Sequence, residues 1–532
     1  MKRFTNTGTL FFFALRRNRF FMPIWIVGIA AFTVLCAPLF TQVAKSPAEL
    51  AMYAETMKNP AMIALCGPLY AEPYTYGVMY TQLMTVWILI LIGVMNFFLV
   101  ARHTRKDEED GKLEVMRSLP VGRLAITSST WAVTLLANLL IGLLCAAGLA
   151  SVGIESMVAG GSFLLGGIFF AVGMFFAATA MLFSQLCSTS HGMIGGSFLT
   201  LGIFYLIAAM GNVSGGALSY FSPFSIAFKA SPFSGNYIWP VFAILTEMLV
   251  IALFAMHLSA KRDLGTGLLP QRHGRAHAQA SLSSPFGLAF QLMKKTAAAW
   301  IIIMFILGMS YGSVFRDFEL FVSESEMLQM IIGTGTGENM ILSFMTYVTL
   351  IMSLVAAIPV IGCVLKLRSE EKMNRLEPIY ARSVSKTGMF LPYIAIALGL
   401  SVLLQLALSL SMGLAANIVM EDAISFSDVM LAGLVKLPGI WLFAGISVLL
   451  TGLLPKLTSL VWVYFGLSFF TMYISKLAEL PEIFIKMSAF GALPNYPTDE
   501  FRIVPFVIIT AISLALSVIG VIFYEKREFS YV

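Results

Sequence analysis

The chain of 532 residues is 58% hydrophobic and only 12% charged, with a mean hydropathy of +0.86, against roughly 25% charged residues in a soluble globular domain. That balance excludes a soluble globular protein and predicts a polytopic membrane protein. The net charge of +6 is a matter of topology, worked out below, and marks no nucleic-acid surface.

Apolar windows long enough to cross about 30 Å of hydrocarbon begin near Phe20, Tyr80, Leu124, Phe163, Met193, Trp239, Thr296, Met340, Met389, Val429, Leu457 and Ile503. Backbone in lipid must satisfy its own hydrogen bonds, and aperiodic apolar runs of this length suit helices better than barrel strands. The expected fold class is therefore all-α, with about twelve transmembrane helices. The first window follows Arg16, Arg17 and Arg19 as a signal peptide's would. It is long and lacks a clear small-residue cleavage site, so it reads as a retained helix.

Most of the 34 lysines and arginines fall before Phe20, between Arg102 and Arg123, between Lys261 and Lys295, between Lys366 and Lys386, or in the tail with Lys526 and Arg527. Cations collect in inner loops, so both termini are expected in the cytoplasm of a bacterial plasma membrane. The opposite side then holds the acid-rich stretch with Asp317, Glu319, Glu324, Glu326 and Glu338. Two six-helix halves are expected, residues 1–260 and 296–532, joined by a cytoplasmic segment over 261–295. Its stretch Gly267 to Pro285, rich in small residues, reads as a flexible connector.

Shifting the chain by about 263 residues lays "DEEDGKLEVMRSLPVGR" (Asp107 to Arg123) on "EEKMNRLEPIYARSVSK" (Glu370 to Lys386). The acids Asp107 and Glu108 fall on Glu370 and Glu371, Lys112-Leu113-Glu114 on Arg375-Leu376-Glu377, and Val121 and Arg123 on Val384 and Lys386. Each copy lies between the second and third span of its half. Both read as short amphipathic helices outside the membrane. Glu108 to Lys112 and Glu371 to Arg375 are acid-before-cation pairs four apart, each worth about 0.2–0.5 kcal/mol on a helix. Leu113 with Met116 and Leu376 with Ile379 are spaced to share one face, and Pro120 ends the first copy. A duplication relic in a charged loop is the plain alternative; a matched pair of docking surfaces for a partner with two equivalent halves is the functional one.

Phe11 to Phe21 and Gly287 to Trp300 precede the first span of each half with an apolar-then-basic pattern, suited either to an interfacial helix or to ordinary basic flanking. Glycine clusters over Gly160 to Gly167 and Gly192 to Gly196 favour close helix approach. The aromatic, proline-punctuated stretch Asn212 to Pro240 reads as a re-entrant hairpin or an interfacial loop. Glu247 lies mid-span in "WPVFAILTEMLVIALFAMHL", where an ionisable group is expensive and faces a cavity or a partner. It is a candidate for binding a cationic or hydrogen-bonding drug, against the alternative of a structural carboxyl group.

Cys36, Cys66, Cys145, Cys187 and Cys363 show no pairing or metal spacing. The histidines (His103, His191, His257, His273, His277) fall at loops or span ends and read as solvated or interfacial, so no convergent catalytic set is expected. No G-x-x-x-x-G-K-[ST] phosphate loop occurs; "GTGTGENM" (Gly333 to Met340) lacks the lysine.

Taken together, "ALRRNRFFMPIW", "NPAMIALCGP", "DEEDGKLEVMRSLPVGR", "SPFGLAFQLMKKTAAAW" and "LRSEEKMNRLEP" resemble the type-2 permeases of ATP-binding-cassette (ABC) transporters, in particular the fused twelve-helix group described as exporters of polyketide antibiotics. Asn374 departs from the resemblance where that group's second acidic motif has glycine, as does Lys372. The resemblance implies a transport subunit that is not itself an enzyme. Its partners are two copies of a cytoplasmic ABC ATPase, which hold ATP and Mg²⁺, and a hydrophobic or amphipathic small molecule exported across the bilayer by alternating access. No cofactor is implied in this chain. Coupling to the ATPase is then expected from Glu108, Lys112, Leu113, Glu114 and Met116, with Glu371, Arg375, Leu376, Glu377 and Ile379. A proton-coupled carrier of the major facilitator class shares the topology, although its signature in these loops is Gly- and Arg-rich around one Asp. An ABC permease for peptide sensing or immunity shares the partner.

Overall fold

The computed structural model describes residues 4–527, except 45, 59, 69–72, 264, 270–276, 314, 316–337, 383, 420–424, 475–484, 486 and 500. The acidic stretch from Asp317 to Glu326, the first five residues of "GTGTGENM", His273 and the middle of the 267–285 connector lie outside the described residues. Among those described there are helices, turns and no strand, and eleven helices are long and apolar enough to cross a membrane. The protein is an all-α polytopic membrane protein. The twelfth expected span corresponds to a shorter apolar helix, Leu460–Ile474, which runs up to residues that are not described.

The chain divides into two compact units, Met1–Gly274 and Arg275–Val532, each with its own apolar core. The first holds α1 (Thr7–Arg17), α2 (Phe21–Val43), α3 (Pro47–Thr56), α4 (Pro60–Cys66), α5 (Tyr76–His103), α6 (Arg105–Glu109), α7 (Lys112–Ser118), α8 (Ala125–Ser151), α9 (Ala159–Leu186), α10 (Ser190–Ser214), α11 (Pro223–Phe228) and α12 (Trp239–Lys261). The second holds α13 (Pro285–Ser313), α14 (Glu338–Lys372), α15 (Glu377–Tyr380), α16 (Lys386–Val419), α17 (Phe426–Val435), α18 (Leu437–Leu453), α19 (Leu460–Ile474) and α20 (Ile503–Lys526).

In the first unit α9 is the hub, almost wholly buried between α5, α8 and α12. Helices α2 and α12 turn Ile24, Leu35, Phe242 and Val250 outward, as helices in lipid do. Glycine sets the closest approach: a Cβ at Gly142 of α8 would stand 2.7 Å from the carbonyl oxygen of Gly166 on α9, so the two backbones touch. Deep in the same unit Asn96 of α5 and Asn138 of α8 exchange amide hydrogen bonds at 3.0 and 2.9 Å, both fully buried. Capping fixes where helices begin. Thr75 accepts from the Val78 N–H to start α5, and Thr189 accepts from the Gly192 N–H to start α10.

In the second unit α13 packs along α16, and α18 packs along α14 and α20. The basic flank before the first span differs between the halves. Around Asn18 the chain breaks between α1 and α2, whereas α13 runs unbroken from Pro285 to Ser313, carrying the basic flank and the first span of the second unit on one helix.

The stretch Asn212 to Pro240 folds back against the helices it joins. All six residues of α11 are buried, and Ser222 and Ser225 donate to the backbone of α10 at Phe204 and Ala208. The Phe224 ring meets that of Phe176, 5.7 Å between centroids. Phe176 stands about ten residues, or about 15 Å of helix, from the Leu186 end of α9. In the second unit Phe490 packs on Phe443, 6.2 Å away, about ten residues before the Leu453 end of α18. There the span is broken at Lys436, whose fully buried ammonium donates to Pro494 O at 3.0 Å and Asn495 Oδ1 at 3.1 Å.

Candidate functional site

The two copies of the acidic motif form elbows that join the second span of each unit to the third. Each elbow is bent by one residue in left-handed conformation, Gly111 (φ 70°) in the first and Asn374 (φ 55°) in the second. Glycine carries no penalty there, and asparagine is among the few other residues that visit it. The departure at Asn374 thus keeps the bend. The first elbow is accordingly two short helices, α6 and α7, and not one. The second is the end of α14, a turn at Asn374, and the single turn α15. Pro120 acts as expected: α7 stops at Ser118 and Leu119 is extended.

The bend overturns the expected pairs four residues apart, because residues on either side of a left-handed residue do not share a helix face. Lys112 pairs with Asp110 at 2.6 Å and Arg375 with Glu370 at 3.1 Å. Glu108 pairs with Arg105 at 3.1 Å and Arg262 at 3.0 Å. Glu371 pairs with Arg368 at 3.1 Å and with Arg527. These carboxylates are 8% and 10% exposed, so they form buried joints.

The joints reach the ends of other spans. Arg105 donates to Ser184 O at 2.5 Å, at the end of α9, and to Thr266 O at 3.2 Å. Arg368 donates to Pro455 O at 3.2 Å, just past α18. Arg262 and Arg527 are the residues that follow α12 and α20, the last helix of each unit. Arg262 also donates to Thr266 O at 2.9 Å, and Arg527 to Thr451 O at 2.8 Å. The Gly265 N–H closes the first joint on Glu108 Oε1 at 2.6 Å. Guanidinium groups placed on the last carbonyls of helices complement the negative ends of their dipoles, and each buried carboxylate is matched by two cations.

The apolar pairs share a face, as their spacing predicts, and that face points inward. Leu113 is 5% exposed and Leu376 3%, while Met116 and Ile379 are half-buried. Glu114 and Glu377 are exposed. The apolar groups that stand free on the elbows are Val115 and Leu119 in the first and Met373 in the second. His103, expected to be solvated or interfacial, is buried between Arg17 and Asn18. Arg17 also bonds Asp107 at 2.6 Å, which ties α1 to the first elbow. Beside this pair is a small cleft lined by Leu10, Phe13, Met116 and Ser129. Glu247 is half-buried on α12 and makes no hydrogen bond or ion pair with the described residues. It belongs to neither elbow.

Arg262, Arg527, Arg105 and Arg368 are absent from the sequence-derived set, which treats them as loop cations. The signal was available: Arg105 and Arg368 stand 263 residues apart, like the acids they bind, and both terminal arginines directly follow the last apolar run of their half.

The fold and these joints define a polytopic all-α membrane protein built of two units with like elbows. Over 540 aligned positions, 99% of this chain and 95% of its relative, the sequence is 29% identical to the multidrug efflux system permease protein Rv1217c of Mycobacterium tuberculosis (strain ATCC 25618 / H37Rv). Residues 282–525 match the family described as multidrug efflux system permease Rv1217c, C-terminal domain.

Proposed function

We propose that this chain is a multidrug efflux permease: the transmembrane subunit of an ATP-driven ABC exporter that moves amphipathic drugs out of the cell by alternating access. The end-to-end similarity to a multidrug efflux permease carries the reading. It is supported by the duplicated elbows, by a cation distribution of the kind expected if they and both termini face the cytoplasm, and by the lack of a phosphate loop in the sequence. ATP and Mg²⁺ belong to two separate cytoplasmic ATPase subunits, which dock on the elbows. Glu114 and Glu377, exposed beside Val115, Leu119 and Met373, offer the contact surface. Glu108 with Leu113, and Glu371 with Leu376, hold the elbows in shape behind it. Met116 and Ile379 brace the same helices from within, and Lys112 and Arg375 bind neighbouring acids on the elbow surface. Closure of the ATPase pair then shifts both elbows, and a ligand-driven change of this kind requires contacts that differ between the two states.

Glu247 is the candidate contact for a cationic or hydrogen-bonding drug, being an acid in an apolar span that pairs with none of the described residues. The test is drug susceptibility of a sensitive bacterial host carrying the permease gene, with and without the gene of a phosphate-loop ATPase lacking membrane spans encoded beside it. Resistance is expected only with both. Resistance from the permease gene alone, abolished by collapsing the proton gradient, would favour a proton-coupled carrier. An unchanged drug spectrum in Glu247→Gln would remove that residue from the site.

A further inference from the structure

We propose that Arg262 and Arg527 are positioning residues that make each elbow move as one body with the inner ends of its unit's fourth and last long spans. The joint itself stands on geometry, and its role in transport rests on the functional reading above. In each unit one carboxylate bridges two guanidinium groups. One of them, Arg105 or Arg368, donates to a carbonyl at the end of α9 or just past α18; the other, Arg262 or Arg527, directly follows α12 or α20. A third cation secures the same point, for Arg123 donates to Arg262 O at 3.0 Å and Lys386 to Arg527 O at 2.5 Å.

The spacing shows what the duplication kept. Arg105, Glu108 and Arg123 recur 263 residues later as Arg368, Glu371 and Lys386, whereas Arg262 recurs 265 residues later as Arg527. The intervening chain changed length by two residues and the same atoms still meet. The spans around them share little sequence, and other elbow contacts were not kept. Arg17 binds Asp107, while Glu370, the counterpart of Asp107, binds Lys366 and Arg375 on its own elbow. Removing one member of a buried pair strands its partner's charge in a poorly solvated place, so the joint resists opening. A displacement imposed on the elbow therefore passes to the last helix without slack.

The test uses the purified full-length chain and needs no partner for its first arm. Backbone amide exchange is measured in wild type, Arg262→Gln, and the charge-swapped Glu108→Arg/Arg262→Glu. Arg262→Gln is expected to speed exchange about tenfold in 105–118 and 258–266 together, while 368–380 stays unchanged, and the swap is expected to restore protection. Unchanged elbow exchange in Arg262→Gln, or a swap that exchanges as fast as the single variant, would overturn the joint.

The second arm measures drug moved per ATP hydrolysed in proteoliposomes holding the chain with its ATPase, with ethidium as the drug. Arg262→Gln/Arg527→Gln is expected to hydrolyse ATP within about twofold of wild type and to lose about tenfold in drug moved per ATP, regained on charge swapping. An unchanged ratio overturns the positioning role. A wild-type complex that moves no drug with ATP sinks the functional reading and leaves the exchange result to decide the joint.

Discussion

Arg123 of the first unit and Lys386 of the second make the same bond. Each donates to the backbone carbonyl of the arginine that follows its unit's last helix, Arg262 at 3.0 Å and Arg527 at 2.5 Å. Arg and Lys are not interchangeable where a planar fork is needed, but a single carbonyl asks for one donor, and either supplies it. The fork is kept where it is used, on Arg262 and Arg527, which bind a carboxylate and a backbone carbonyl at once.

The left-handed bends predict an asymmetric response to substitution. Gly111→Val places a β-branched residue at φ 70° and is expected to destabilise the first elbow by about 1–2 kcal/mol. Asn374→Gly relieves a small cost and is expected to be neutral or slightly stabilising. Amide exchange over 105–118 and 368–380 checks both. Equal effects of the two substitutions would show that the bends are not held by backbone conformation.

The Asn96–Asn138 pair predicts strong non-additivity. Asn138→Leu leaves the Asn96 amide in an apolar interior and is expected to cost about 1–2 kcal/mol. The double change to leucine is expected to cost less than the two single changes added together. Unfolding of the detergent-solubilised protein in sodium dodecyl sulfate measures all three, and simple additivity would contradict a mutual bond.

At the end of the second unit away from the elbow, the Tyr496 phenol donates to Asp428 Oδ1 at 2.6 Å, and that carboxylate holds the phenol above the usual tyrosine range. A raised value in the folded state means that the bond's contribution is complete below the ordinary tyrosine value of about 10 and is lost as pH rises through the folded one. The difference between ultraviolet titrations of wild type and Tyr496→Phe is therefore expected to show one tyrosine ionising above about pH 10. A midpoint at or below the ordinary value would mean that the pair does not form.

Much of the architecture could be read from residue order, because hydropathy and cation placement act over windows of twenty residues and average out local detail. Eleven expected spans appear as long helices, and the twelfth as Leu460–Ile474. The internal repeat located both elbows, since Asp107 to Arg123 and Glu370 to Lys386 align without a gap. Their contacts were less legible. Helical spacing placed Glu108 beside Lys112, but one residue at positive φ separates them, and the true partners Arg262 and Arg527 lie more than 150 residues away along the chain. Leu113 and Met116 were rightly placed on one face; only the fold shows that it turns inward. The packing around Phe490 has no signal of its own in the sequence, since it depends on Phe490 meeting Phe443 and on Pro494 and Asn495 meeting a buried lysine at a helix break.

The most direct test of the proposed function is energetic. Proteoliposomes containing the full chain are assayed for ethidium movement with ATP and the ATPase subunits, with ATP but no ATPase, and with an imposed proton gradient alone. Movement is expected only in the first condition, and its loss in Glu108→Gln/Glu371→Gln with hydrolysis retained would place both elbows in the path of force. Movement driven by the proton gradient without the ATPase would contradict the account.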